Sequence, residues 1–477
     1  MKPNIILILC DDMGHWAMGC AGNNEIRTPN LDRLAATGMR FENFFCTSPV
    51  CSPARASIFT GKMPSQHGIQ DWLANLNEDS QEYLQGQTTY PEILSKNGYN
   101  CGISGKWHLG NATNKQMGFS HWYVYHSAQA EYYNTPMIRE KETETVTETE
   151  SGYITDRLTD DALSFLRSQK GCEKCRENPF YLSVHYTAPH KPWIGCHPQE
   201  YLDMYNNCPF DSIPNEPMHP WQIPTHPWPE GEERRETLKG YFASVTAMDA
   251  GIGKILDLLE QQGMRDSTLV FFMSDNGMNM GHHGIVGKGN GTFPMNLYDT
   301  SVKIPAIASH PGVIPQGVVC DSLLSQYDFM PTLLEWTNAE SPTPDDLPGH
   351  SFAGILKGGK SDERTHVVVY DEYGPVRMIR NAEWKYIHRY PYGPHELYHL
   401  QSDPGETVNL IDDVSKQEIV TTMKAQLDSW FHKYVDPAID ASREPVTGWG
   451  QVTQPGVYAN GAPVFYQSRG SMKKMQP

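Results

Sequence analysis

The chain lacks any apolar run near the roughly 20 residues that a membrane-spanning helix requires. The longest near its start, Ile5–Cys10, meets Asp11 and Asp12 at once. That stretch also lacks the basic flank, longer apolar core and small-residue cleavage site of a secretory leader. As the sequence stands, the protein is expected to be cytoplasmic with no membrane partner, and periplasmic or secreted if a leader has been removed. Basic residues are short too: 38 Lys and Arg against 56 Asp and Glu give a net charge of −18. This argues against a nucleic-acid partner, which needs a basic footprint. An anionic ligand would have to be caught by local cations against the field of the whole chain. Cysteine is sparse, ten in 477 residues, so no disulfide scaffold builds this fold. Cys172 and Cys175 form a CxxC, but Cys196 and Cys208 lack the spacing of a second zinc pair. Free thiols, a local disulfide and a structural zinc all stay open for these four.

Apolar residues are not short. At 39% of the chain, with 11% aromatic, they supply a substantial core and exclude disordered, collagen-like and coiled-coil classes. The length points to one large domain, 1–360, and a smaller one, 361–477. Ile5–Leu9 reads as a strand buried on both faces. Thr28-Pro29 reads as an N-cap with Pro at the first helical position, and Gly38 as the stop. Met39–Phe45 is strand-like, Pro53–Thr60 a helix closed by Gly61, Thr89–Lys96 a helix and Asn100–Ser104 a strand. Pro179–His185 and Thr268–Ser274 read as strands, with a long helix at Glu236–Gln261. Glu140–Glu150 alternates Glu with Thr and Val as an exposed hairpin arm, and Pro342, Pro344 and Pro348 mark a linker. Beyond it, Thr365–Tyr370 and Trp384–Ile387 are strand-like, Lys416–Tyr434 is helical, and the end from Gln467 frays. No internal repeat is present. The alternation predicts an α/β fold: a large mixed, mostly parallel sheet sandwiched by helices, with a smaller C-terminal α+β domain.

Polar clusters fall where such folds bind ligands, at the carboxyl ends of strands. Asp11-Asp12, Lys106 with His108, His190, and Asp275-Asn276 each follow a predicted strand. Without context, an Asp pair or an Asp-Asn-Gly block serves equally well as a turn or cap. The sharpest signal is Cys51-Ser52-Pro53-Ala54-Arg55, a C-x-P-x-R string that this composition would produce by chance roughly 0.03 times. An isolated Cys is ordinarily a small buried hydrophobe.

That string resembles the maturation signature of the type I sulfatases, members of the alkaline-phosphatase-like superfamily. Further blocks follow in the family's order. Asn4–Asp12 resembles its opening strand with a metal-binding Asp pair, and Gly105-Lys106-Trp107-His108 its Lys-x-His block. Ala188-Pro189-His190-Lys191-Pro192 resembles its PHxP turn, and Asp275-Asn276-Gly277 its second metal block. Lys288 sits where the family places its last catalytic Lys. Trp384-Lys385-Tyr386, Asp403-Pro404-Gly405-Glu406 and Asn409-Leu410 resemble its small C-terminal domain. One departure is Met13-Gly14-His15-Trp16, where the family often carries further polar residues after the Asp pair.

The resemblance implies that a formylglycine-generating maturase oxidises Cys51 to Cα-formylglycine. One hydroxyl of its hydrate would attack sulfur, and ionisation of the other would expel sulfate. It implies Arg55, Lys106 and Lys288 as catalytic cations, His108 as base toward the second hydroxyl, and His190 as partner of the leaving oxygen. Asp11, Asp12, Asp275 and Asn276, with the residue made from Cys51, would hold one calcium, with magnesium as the alternative. The expected substrate is a sulfated small molecule, favoured as a sulfated carbohydrate. Trp107, Trp193, His283 and Arg377 are candidate contacts to it, while His185, His282 and His283 are candidates for supporting the site. The alternatives are a phosphonate monoester or phosphodiester hydrolase with the same formylglycine and metal, and a non-catalytic sulfated-glycan-binding protein.

Overall fold

A computed structural model describes residues 2–74, 81–125, 130–141, 144–171, 178–223, 228–340, 346–359, 364–371 and 375–466. Its centre is the strand Asn4–Cys10, whose unbroken apolar run is buried on both faces. Ile5, Leu7 and Leu9 enter one core, and Ile6, Ile8 and Cys10 the other. The strand pairs in parallel with Thr268–Ser274 on one side and Phe180–His185 on the other, and Asn100–Lys106 and His121–Tyr125 continue the parallel run. Antiparallel strands flank these five in a ten-stranded mixed sheet. Helices Pro29–Ala36, Ile154–Gly171 and Gly231–Gln261 cover one face. Cys51–Thr60, Tyr90–Lys96 and Phe329–Thr337 cover the other. The predicted α/β sandwich is therefore the one observed.

The acidic arm is a hairpin, Tyr133–Lys141 with Glu144–Tyr153, that forms one end of the sheet. Arg139 and Lys141 pair with Glu148 across it, and Arg139 also with Glu150. A second sheet, Val367–Asp371, Val376–Arg380, Trp384–Arg389 and Glu396–His399, is antiparallel throughout. Helix Gln417–Tyr434 lays Met423, Leu427, Phe431 and Tyr434 against Val368, Ile379, Tyr386 and Leu397. Val367, Val369, Met378 and Ile387 join the large core. The chain then returns. Residues 436–466 cross to the segment 63–74, where Gln451 forms a parallel bridge with Leu73.

Some local readings are corrected. Thr28 stands at the N-cap of helix Pro29–Ala36 with Pro29 at the first helical position, as read, but its hydroxyl makes no capping bond: it accepts from Gly19 N–H and donates to Asp32. The cap comes from Asp249 on the long helix, which accepts from Asn30 N–H at 3.1 Å and Leu31 N–H at 2.7 Å. Gly38 follows the C-cap Thr37, but it is not a left-handed stop, because its φ is not positive. It is Gly because a Cβ there would lie 2.2 Å from Ala308 O on the neighbouring strand. Helix Pro53–Thr60 begins earlier, at Cys51, and Lys106 ends its strand rather than following it. Pro342, Pro344, Cys172, Cys175 and the tail from Gln467 lie outside the described residues. Cys196 and Cys208 are free thiols. Among the described residues, no helix is long and apolar enough to cross a membrane.

Candidate active site

Four adjacent parallel strands deliver the site from their carboxyl ends. Asp11 and Asp12 follow Cys10, Asp275 and Asn276 follow Ser274, Lys106 ends its strand and His185 ends the one between. Gly105 makes the last step: at φ 121° it runs so close to His185 that a Cβ would lie 1.9 Å from His185 O. Asp12 and His108 are held left-handed, at φ 64° and 54°, a conformation that costs a non-glycine residue about 1 kcal/mol and clusters at functional sites. Cys51 opens a fully buried ten-residue helix at its N-terminus, where first-turn N–H groups lack helical partners and favour an anion.

These elements converge. Ligand atoms of Asp11, Cys51 and Asp275 lie within 4.8 Å of one another, as do those of Asp11, Asp12 and His190. Cys51 Sγ is 3.4 Å from Asp11 Oδ1 and 2.7 Å from Lys288 Nζ. Lys106 Nζ pairs with Asp11 Oδ2 at 2.5 Å, and Lys288 pairs with Asp12. Arg55 sets Nε and Nη2 at 3.1 and 3.0 Å from Asp275 Oδ2, with Nη1 3.2 Å from both Lys106 O and His185 Nδ1. All are buried.

Burial and charge set the protonation states. Burial, aided by the Asp11 charge, pushes the Cys51 thiol up to about 12, so it is no thiolate near neutrality. Burial and Asp11 likewise raise Asp275 to about 7. Burial opposes ionisation of Asp11 too, but Lys106 and His190 outweigh it and hold that carboxyl well below its usual range. Burial takes His190 down to about 4 and His108 well below the usual imidazole value. His108 contacts Leu73 O through Nε2 at 3.1 Å, while Nδ1 is buried without a partner among the described residues. A carbonyl can only accept, so Nε2 carries the proton and Nδ1 is the bare base. His190 is reversed: Nδ1 faces Lys191 O at 2.7 Å, leaving the Nε2 lone pair 3.6 Å from Asp12 Oδ2.

The residues fit a hard cation. Two carboxylates bond Asn276: its Nδ2 donates to Asp12 Oδ1 and to Gly277 O, its N–H donates to Asp275 Oδ1, and its Oδ1 is buried with no partner among the described residues. A bare amide oxygen among carboxylates is an oxygen donor set. Arg55, Lys106 and Lys288 balance Asp11, Asp12 and Asp275, so a divalent ion would leave two positive charges in excess. This is the local capture of an anion that a chain of −18 requires.

The four candidate substrate contacts do not join this cluster. Trp107 is fully buried between Phe59 and Trp122 and packs the core. Trp193 is buried, donates Nε1–H to Pro189 O and packs on Tyr241, supporting the His190 turn. Arg377 is buried in the small sheet, paired with Asp440 and stacked on Phe431. His283 is half-buried, its ring 3.8 Å from that of Tyr298. The sequence also concealed supports. Gln326 donates to Ser274 O and Asp275 O and accepts from Thr47 N–H, tying the strand that ends at Ser274 to the approach to Cys51. Tyr241 joins Gly14 N–H to Asp12 O. Neither residue stands in a local pattern that marks it.

Carboxylates, a helix N-terminus and buried cations at the ends of parallel strands define a hydrolytic centre for anionic esters. Residues 3–339 match the family model "Sulfatase", and 291–433 the model "N-sulphoglucosamine sulphohydrolase, C-terminal". The chain belongs to the sulfatase family and is a sulfuric ester hydrolase. It is 28% identical to an N-acetylglucosamine-6-O-sulfatase of Bacteroides thetaiotaomicron, over 86% of this chain and 82% of that one. It is 29% identical to a choline-sulfatase of Rhizobium meliloti, over 86% and 83%. A solved structure of a protein in complex with its substrate D-glucosamine-2-N,6-O-disulfate matches with a TM-score of 0.78 at 26% identity, covering 93% of this chain and all of that one.

Proposed function

We propose that this sulfatase hydrolyses a sulfate ester of a carbohydrate, with Cys51 converted to Cα-formylglycine and one calcium held by Asp11, Asp12, Asp275 and Asn276. The convergence of Cys51 with three buried carboxylates and two lysines carries the reading. A protonated, buried thiol is a poor nucleophile in that place. Hydrated formylglycine supplies an oxygen nucleophile that can release sulfate again, and calcium supplies positive charge beside it. Lys106, Lys288 and Arg55 hold the oxygens of the anion and keep the carboxylates from repelling it. His108 Nδ1 accepts the proton whose loss releases sulfate. His190 serves the leaving oxygen once its ring takes a proton on Nε2, which the charges of Asp11 and Asp12 favour. Burial excludes bulk water from all of these groups. Cys51 is only 5% exposed, so a maturase partner would have to meet its segment before folding.

Relatives support a carbohydrate substrate: one is named for an N-acetylglucosamine sulfate, and one neighbour holds a glucosamine disulfate. The test is a panel of glucosamine-6-sulfate, other sulfated mono- and disaccharides, choline sulfate, an aryl sulfate and a phenylphosphonate monoester, with sulfate or alcohol release measured. The mass of the Cys51 peptide is recorded on the same protein. Turnover of sulfated sugars is expected. Turnover confined to choline or aryl sulfate overturns the substrate class, and faster turnover of the phosphonate overturns the sulfur preference. Sugar binding without turnover by converted protein would leave a binding protein.

A further inference from the structure

Leu73 stands between two groups of the site. Its carbonyl lies 3.1 Å from His108 Nε2, and its N–H donates to the hydroxyl of Ser52, the neighbour of Cys51. Yet Leu73 lies in no regular strand or helix. What holds its segment is the returning C-terminal chain. Gln451, fully buried, accepts through Oε1 from Gln70 N–H at 2.8 Å and Asp71 N–H at 3.3 Å, and donates through Nε2 to Gly68 O and Thr453 O at 2.9 Å each. Its own N–H donates to Trp72 O, and its carbonyl accepts from Ala74 N–H. Asp71 fastens the same place, accepting from Trp72 N–H and Gly450 N–H.

We infer that Gln451 is a positioning residue for His108: it fixes the Leu73 carbonyl that keeps the proton on Nε2, and so keeps Nδ1 as the free base. The inference rests on the reading of His108 as the base. An imidazole without a fixed acceptor divides its proton between the two nitrogens and rotates, and either change withdraws the lone pair. One side chain gathers Gly68, Gln70 and Asp71 at once, so replacing it leaves the segment to the main-chain bonds of residue 451 and to Asp71. The C-terminal return is thereby part of the machinery through the segment that reaches Leu73, with no contact to the carboxylate cluster among the described residues.

The experiment uses the full chain, matured and loaded with calcium, and compares Gln451→Ala, the shorter amide Gln451→Asn, His108→Ala and Gln454→Ala. Gln454 lies on the same return but bonds Tyr83 O instead. Both Gln451 variants are expected to lose about tenfold in kcat, within the 10²–10⁴-fold worth of a general base, with KM and calcium affinity within twofold. Gln454→Ala should keep wild-type kcat. Nitrogen-15 spectra of labelled histidine, with His108 assigned by its loss in His108→Ala, should show the Nε2–H tautomer in the wild type and a mixture in the Gln451 variants. A wild-type Nδ1–H tautomer, or a fall in kcat with the tautomer unchanged, overturns the inference. So does unaltered kcat in a folded Gln451 variant, or failure of both to fold. If His108→Ala itself keeps kcat, it is the base assignment that fails.

Discussion

Replacing Arg55 with Met keeps the apolar stem of the side chain and removes its guanidinium charge from a place that water does not reach. Arg55 and Asp275 are both fully buried, with two guanidinium nitrogens 3.1 and 3.0 Å from one carboxylate oxygen. Removing one partner of a buried pair costs about 3–5 kcal/mol, much of it the stranded charge. Here the stranded group has a way out. Burial and Asp11 already hold Asp275 up at about 7, and Arg55 is the first of the groups that pull it down, so in the variant it rises further. A carboxyl raised on folding contributes its stability below its unfolded value and loses it as pH climbs through the folded one. At pH 6 Asp275 is mostly neutral in both proteins, and the variant loses hydrogen bonds alone, about 1–3 kcal/mol. Above pH 7 the wild type ionises Asp275 against Arg55 while the variant must keep it protonated. The gap then widens by about 1.4 kcal/mol per pH unit. Urea unfolding at pH 6 and pH 8.5 in excess chelator, which keeps metal out of the comparison, reads both gaps. Arg55→Met combined with Asp275→Asn should lose the pH dependence. A gap that is constant, or that narrows as pH rises, would refute the pairing argument.

Cys51→Ala should abolish turnover while keeping the unfolding midpoint and calcium binding; a variant retaining about a tenth of the wild-type rate would remove Cys51 as the nucleophile position. Calorimetric titration of calcium into stripped protein should weaken about tenfold or more in Asp11→Asn, which removes a charged oxygen ligand. It should change little in His190→Ala, and a comparable loss there would make His190 a ligand and take away its role toward the leaving oxygen. Chelation should stop turnover, and calcium should restore it better than zinc. Asp249→Ala should destabilise the fold by about 1–2 kcal/mol, because it uncaps helix Pro29–Ala36; an unchanged urea midpoint would contradict the cap.

Much of this was legible in the linear chain. Ile5–Leu9 reads as a doubly buried strand from its apolar run and the turn after it, and the C-x-P-x-R string with its ordered companions pointed to the family. Asp11, Asp12, Lys106 and Asp275 could be placed at strand ends because ligands gather there. Each of these signals is local, a run or a spacing that a few neighbouring residues carry among themselves.

The rest was decided by residues far apart in sequence. Thr28 has every local mark of an N-cap, yet Asp249, more than two hundred residues away, supplies the oxygen because the long helix packs beside it. Trp107, Trp193 and Arg377 looked available for a sugar because composition cannot show burial; the tertiary packing covers all three. Gly38 and Gly105 are glycines because another strand's carbonyl occupies the space of their Cβ. The His108 proton is placed by a carbonyl at position 73, in a segment whose residues 68, 70 and 71 are gathered by an amide at 451. A chain can announce which groups are chemically able to act through nearest-neighbour patterns. Which nitrogen keeps the proton, and which aromatic ring meets solvent, depends on surfaces that come together only when the sheet closes over both cores.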